Sequence, residues 1–417
     1  MTTEENTADD LERPLAGVRV LDMAHVLAGP SCSWLLGMMG ADVIKVERPH
    51  EGDLLRGIDT DLQRRDARMG QGYQSVNAGK RSIGVDFKSP EGRDIVLALA
   101  DRSDVLVQSF RAGALDDIGL GADDLMTRNP GLVYCAISGF GQDGPRRGVR
   151  AFDHVVQAAS GIMALTGEPA GSPQKVGTPV SDTSTGLMAA FAIMAALYER
   201  QQTGKGRFVD VSMLHTMFTL MVPQVVQSLL TDEPPPRLGN GAFTRSPTAD
   251  CFRCKDADIL IGANTDEQFE KLMMAVGLGH CVNDPRFASS ETRRKHADVL
   301  RREIEAVLSS QSAQAWEDVL GDAGVPASVV RDLHQALHHT QFDGDPVVTS
   351  MDVPKVGRMP LPNLPFKIDH ARLRPEAPPP LVGQQTRDIL AEVGYAPDAV
   401  ASLLARNIVS SPRDEDT

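Results

Sequence analysis

The sequence predicts an α/β protein with a doubly wound parallel sheet and a second, smaller domain. Three observations predict it. Short apolar strands alternate with helical stretches through the first half of the chain, the pattern of parallel βαβ units. At 417 residues the chain exceeds what one hydrophobic core usually serves. A Pro/Gly-rich stretch over 234–242 then breaks the pattern and marks a domain boundary.

The elements follow in order. Residues 18–23 (Val-Arg-Val-Leu-Asp-Met) read as a strand, a loop with Gly29-Pro30 follows, and a helix over 31–39 stops at Gly40. Strands are expected at 41–47, 81–86, 104–108 and 131–138, with helices at 90–101 and 122–127. A long apolar helix covers 187–198, preceded by an extended stretch, Val176-Gly-Thr-Pro-Val-Ser-Asp182. After the turn Thr203-Gly-Lys-Gly206 come a strand at 207–212 and a helix over 213–230. The smaller domain should hold strands at 249–255 and 258–263 and helices at 267–276 and 292–309; a last helix is expected at 386–393. The turn after the first strand, His25-Val-Leu-Ala-Gly-Pro-Ser, has one Gly and a Pro where a nicotinamide site wants GxGxxG, so a dehydrogenase is disfavoured within this Rossmann-like layering.

Composition excludes further classes. The apolar fraction of 41% and charged fraction of 24% are ordinary for a globular protein. A net charge of −14 argues against a nucleic-acid partner, so an anionic ligand needs local Lys and Arg. Such residues flank the expected strands: Arg48, Lys80, Arg81, Lys88, Arg111, Arg146, Arg147 and Arg150, with solvated surface charge the alternative for each. Five scattered cysteines fit reduced thiols, and Cys251-Phe-Arg-Cys254 lacks a second pair at metal-ligand spacing, so no metal is expected. The ten His show no metal or triad spacing, and structural roles are expected for His25 and His154. The start of the chain is acidic and polar and no segment reads as a membrane span, which gives a cytoplasmic expectation with no membrane partner.

Asp182 is the residue with the sharpest alternatives. At a helix start it can cap the free N–H groups, worth about 1 kcal/mol. It can instead be a carboxylate nucleophile, kept ionised by the positive helix end.

The ordered blocks of this chain resemble the family III CoA-transferases. They include Leu15-Ala-Gly-Val-Arg-Val-Leu-Asp22, Ala28-Gly-Pro30, Gly40-Ala-Asp-Val-Ile-Lys-Val-Glu-Arg-Pro49 and Lys80-Arg-Ser82. Phe152-Asp153, Gln157-Ala158, Asp182 with Gly186, Thr203-Gly-Lys-Gly206, Asp284-Pro-Arg-Phe287, Gly324-Val-Pro-Ala327 and Pro380-Leu-Val-Gly383 continue the set. The resemblance implies a large Rossmann-like domain built from both chain ends, an inserted α+β domain and an interlocked homodimer. On that basis the large domain spans 14–230, the small domain 231–335 and the returning segment 336–400, with flexible tails at 1–13 and 408–417. Asp182 falls on the family's nucleophile. The positions matching coenzyme A contacts are Leu27, Ala28, Arg48, Val85, Asp86, Phe87, Lys88, Ser109, Phe110, Arg111, Arg150, Ala151, Phe152 and Asp153.

The implied activity moves CoA from an acyl-CoA to a free carboxylic acid through an aspartyl intermediate, with no prosthetic group. Two departures bear on specificity. The glycine loop of formyl-CoA transferases corresponds here to Gly239-Asn-Gly-Ala-Phe-Thr244, where N–H groups near Gly241 are expected to serve an oxyanion and Phe243 adds bulk. The racemases of the same family need a second base, and Phe152 stands at its position. Transferase is therefore the leading reading, ahead of an α-methylacyl-CoA racemase and a non-catalytic acyl-CoA-binding protein.

Overall fold

The computed structural model describes residues 13–412. Contacts divide them into two units, 13–160 with 176–226 and 344–412, and 161–175 with 227–343. The first unit is organised by a seven-stranded sheet. Its elements are β1 (Arg19–Asp22), α1 (Ala28–Met38), β2 (Asp42–Glu47), β3 (Arg81–Val85), α2 (Pro90–Ala100), β4 (Val105–Gln108), β5 (Val133–Ser138), α3 (Asp153–Ser160), α4 (Val180–Thr203), β6 (Phe208–Ser212) and α5 (Met213–Leu220). Strand order is Val409–Ser410, β3, β2, β1, β4, β5, β6, all parallel except the first. The order reverses direction at β1, where the chain winds first to one side and then to the other. In such sheets the crevice at the carboxyl ends beside the switch point takes ligands.

The central strands are buried on both faces, which is why they read as continuous apolar runs: Val20, Leu21, Ile44, Val46, Val105, Leu106 and Val107 are solvent-free. One face packs on α2 through Ile95, Val96 and Leu99. The other packs on α1 and α4 through Cys32, Leu36, Ala189, Ile193 and Leu197. Gly186 sits where α4 meets α1; a Cβ there would lie 2.8 Å from the Ala28 carbonyl oxygen. Only Gly permits that approach.

Several expectations change. The stretch before Asp182 is not extended throughout and the helix does not wait for Leu187, because helical backbone already begins at Val180. The helix expected over 213–230 is two, broken at Met221 just before Pro223 (α5, then Val222–Thr231), as proline disrupts a helix interior. The one expected over 292–309 breaks at His296. By length and hydropathy α4 does pass as a membrane-spanning helix, contrary to the sequence reading, yet one of its faces is core. Residues 1–12 and 413–417 of the expected tails lie outside the described residues. Val409–Ser410, by contrast, is a buried strand on β3, so the chain is not loose at 408.

The second unit has a three-stranded antiparallel sheet, Ala249–Arg253, Asp258–Gly262 and Ala327–Val329, packed on helices by Phe252, Ile261, Phe269, Leu272, Leu300, Ile304 and Trp316. It also takes in 161–175, a segment expected in the large domain. The Arg237 guanidinium fastens that segment, donating to the carbonyls of Ala164, Glu168 and Gly171.

Candidate active site

A cavity of about 800 Å³ opens at the carboxyl ends of the strands. Its wall residues follow from the topology: His25 after β1, Arg48 after β2, Phe87 and Lys88 after β3, Ser109, Phe110 and Arg111 after β4, Ser138 and Gly139 at the end of β5. The loop before α3 closes it with Arg147, Val149, Arg150, Ala151 and Phe152. Five basic side chains (Arg48, Lys88, Arg111, Arg147, Arg150) face one acidic lining residue, Asp117. In a chain of net charge −14 that is a concentrated anion-binding surface. An apolar shelf adjoins it, Phe110 meeting Phe87 and His25 edge-on with ring centroids 5.9 and 5.0 Å apart.

Of the residues expected to contact CoA, Arg48, Phe87, Lys88, Ser109, Phe110, Arg111, Arg150, Ala151 and Phe152 converge on this cavity, whereas Leu27, Ala28, Val85, Asp86 and Asp153 do not line it. Val85 is fully buried in β3, and the Asp86 carboxylate accepts the Lys88 N–H. Arg147 joins the wall, while Arg146 turns away to lie over the Phe140 ring at 4.1 Å. Lys80 and Arg81 do not reach the cavity. Arg81 is paired with Asp42 and Glu392 at the amino end of β3, and Lys80 is buried.

Lys80 belongs to a solvent-free cluster that shapes the turn after β1. Asp22, Glu47 and Asp53 are balanced there by Lys45, Lys80 and Arg56. Buried charges survive when paired and hydrogen-bonded. Lys80 Nζ donates to Asp22 Oδ2 and to the Pro30 carbonyl, both at 2.9 Å; Lys45 Nζ donates to the Ala24 carbonyl at 2.9 Å. Asp53 accepts the Val26 N–H at 3.2 Å, holding this β-branched residue at φ +68°, a conformation it adopts only under constraint. That turn presents His25 to the cavity. Burial first, and then the nearby Lys45 charge, lower the His25 pKa and so favour its neutral imidazole. His25, expected only in a structural role, thus lines the cavity, and its place after a strand end is the signal in the sequence.

Asp182 lies in the first turn of α4, and it is not a cap. The Ser181 and Asp182 N–H groups both go to Asp153 Oδ1, at 2.8 and 3.3 Å. The expectation that the helix end keeps Asp182 ionised therefore fails, because another carboxylate occupies that end. Burial, and then the adjacent Asp153 charge, push the Asp182 carboxyl up to about 7. Gln157, fully buried, fixes the arrangement: Nε2 donates to Asp153 Oδ2 at 2.6 Å, and Oε1 accepts the Val176 N–H at 2.9 Å. A carboxylate whose charged form is destabilised in a partly buried site is a basic, reactive oxygen nucleophile. Phe152 stacks on His154 with centroids 6.1 Å apart; His154 is exposed.

In the second unit, Gly239 has φ +61° and faces Pro169 and Glu168, and a Cβ there would lie 3.2 Å from Pro169 Cδ. The Gly241 N–H donates to the Leu238 carbonyl at 3.0 Å, so it is engaged in its own turn, contrary to the oxyanion expectation. Phe243 is exposed. Among the described residues no cluster of three His, Cys, Asp or Glu side chains is placed to hold a metal ion.

The model of CoA-transferase family III matches residues 15–386. The chain is 33% identical over 401 residues to the succinyl-CoA:glutarate CoA-transferase of Mus musculus, covering 96% of this chain and 91% of the relative. It is also 33% identical over 396 residues to the succinate–glutarate CoA-transferase of Agrobacterium fabrum, covering 91% and 96%. Among solved structures, a CAIB/BAIF family protein from Brucella suis superposes with a TM-score of 0.80 at 32% identity, over 92% of this chain and 100% of that one. Matched along nearly its whole length by both the family model and these relatives, the chain belongs to CoA-transferase family III and is an enzyme.

Proposed function

We propose that the protein transfers CoA between an acyl-CoA and a free carboxylate, with Asp182 as the covalent nucleophile. The observation that carries this reading is the uncapped, destabilised Asp182 carboxylate in the same unit as the basic cavity. Arg48, Lys88, Arg111, Arg147 and Arg150 would hold the nucleotide phosphates as charge-assisted pairs, and the Phe87–Phe110 shelf would take an apolar part of the ligand.

The cycle needs no redox or metal step. Asp182 attacks the thioester carbonyl, a C–O bond forms, the C–S bond breaks, and CoA leaves as thiolate. The thiolate attacks the Asp182 carbonyl of the mixed anhydride, releasing the first carboxylate and leaving an aspartyl-CoA thioester. The acceptor carboxylate attacks that thioester, again expelling thiolate, which then takes the acceptor's acyl group and frees Asp182. Holding the partners in reach supplies roughly 7–11 kcal/mol of the barrier. Phe152 offers no second base for α-carbon proton exchange.

The names of the relatives favour short dicarboxylates such as succinate and glutarate as donor and acceptor acids. A second copy of the chain is the proposed partner. Leu187, Phe191 and Tyr198 expose an apolar stripe along α4 that another molecule would cover. The activity is tested by incubating succinyl-CoA with a panel of mono- and dicarboxylic acids and following new thioesters by chromatography. The wild type is expected to transfer to at least one acid and Asp182→Ala to none; transfer by a folded Asp182→Ala would defeat the proposal.

A further inference from the structure

We infer that Asp153 and Gln157 are positioning residues that make the free Asp182 carboxylate the strained state of the cycle and so favour its acylation. The inference rests on Asp182 being the nucleophile.

Its basis is where a fixed negative charge has been placed. The first N–H groups of a helix are the natural stabiliser of an anion, and Asp182 stands in that turn. Asp153, 29 residues away in sequence and at the head of α3, takes those groups with Oδ1. Its other oxygen is held by Gln157, one helical turn along α3 and fully buried. Gln157 Oε1 in turn accepts the Val176 N–H, tying α3 to the segment that leads into α4. Both Asp153 oxygens are thus engaged, and its charge faces Asp182 without freedom to swing away. Other titratable side chains occur on the elements packed against α4: Cys32 on α1, Tyr134 and Cys135 on β5, His154 on α3, Asp210 on β6 and His215 on α5. Glu199 and Arg200 lie at the far end of α4 itself, and the charge that acts on Asp182 is that of Asp153.

A cap alone would not need a charge. Ser, Thr or Asn satisfies helix N–H groups as well as Asp does. The charge gains a purpose in the reaction. When an Asp182 oxygen bonds to the acyl carbon and the C–S bond breaks, the electron pair and the negative charge leave on the CoA sulfur. The anhydride and the aspartyl-CoA thioester beside Asp153 are both uncharged at residue 182, so repulsion present in the free enzyme is released at the first step and returns only when Asp182 is freed. Destabilisation confined to the ground state raises the rate of the step that relieves it.

The test is the pH dependence of single-turnover acylation with succinyl-CoA, read as hydroxylamine-trapped Asp182, in wild type, Asp153→Asn and Gln157→Leu. Asn keeps an oxygen for the two N–H groups and removes the charge. Wild-type trapping should rise through about pH 7. In Asp153→Asn the rise should move down by roughly one pH unit and the plateau fall roughly tenfold, one unit being a factor of ten in the equilibrium. Gln157→Leu should move both in the same direction by less, and it carries the comparison if Asp153→Asn does not fold. A variant whose plateau falls while its rise stays at the wild-type pH would show a cap and nothing more, and would overturn the inference alone. No trapped product in the wild type would overturn the nucleophile reading with it.

Discussion

Asp182 is kept in a state that the folded chain would relax if it could. Its carboxyl titrates near 7 against 3.8 for a free Asp, because burial and then Asp153 oppose its charge. The native state therefore binds a proton that the unfolded chain has lost between those values, and stability contributed by this site falls as pH rises from about 4 to about 7. Asp182→Asn removes that penalty. Thermal melts should show the variant gaining over wild type as pH rises from 4 to 7, with a constant gain above; a gain independent of pH would contradict the assignment. The position of Asp182 was legible, since a lone acid opens an apolar helix. Its electrostatics were not, because Asp153 is far away in sequence and nothing in the spacing shows that Gln157 holds it until the two helices are brought together.

At the scale of elements, the turn after β1 departs from the glycine-rich form and is held from below by buried ion pairs instead. The Arg56 guanidinium donates to both Glu47 oxygens, at 2.8 and 2.7 Å. Burial alone would raise the Glu47 carboxyl, yet Arg56 overrides it and holds it down at about 2; Lys45 and Lys80 do the same for Asp22. Stability from these carboxylates is complete above their unfolded values near 4 and is lost as pH falls toward 2. Arg56→Met strands Glu47 in the core and should cost about 3–5 kcal/mol in urea unfolding at pH 7. A loss under 1 kcal/mol would mean that the cluster is not what holds the turn. At the cavity wall, Arg111→Ala should raise KM for acyl-CoA roughly ten- to hundredfold with kcat little changed, as expected for loss of a charge-assisted contact of about 1.5–3 kcal/mol. Equal effects on kcat would place Arg111 in the chemistry instead. Arg48 and Arg111 could be picked out by their position after strands. Lys80 could not be told from a surface lysine, because only the folded structure reveals a carboxylate, a carbonyl, a hydroxyl and the Asn77 amide oxygen gathered around its ammonium.

For the whole molecule, the α/β class and the succession β1 to β6 were legible because strands buried on both faces write themselves as apolar runs between helices. The Val409–Ser410 strand was hidden, two residues being too few for any periodicity. The helix break at Met221 was signalled by Pro223, which the apolar run around it obscured. What the fold leaves exposed also predicts assembly. Phe191 and Tyr198 are 63% and 68% exposed, apolar surface that a second copy would remove from water. Light scattering of the purified protein should give twice the chain mass, and Phe191→Glu should shift it toward the monomer. A monomeric wild type at micromolar concentration would refute the pairing.

Transfer by this route requires a bond from Asp182 to the acyl carbon. Mass spectrometry of the protein after incubation with succinyl-CoA and hydroxylamine tests it directly. A hydroxamate is expected on the peptide carrying Asp182, absent without thioester and absent in Asp182→Ala. An unmodified Asp182 in a preparation that still transfers CoA would contradict it.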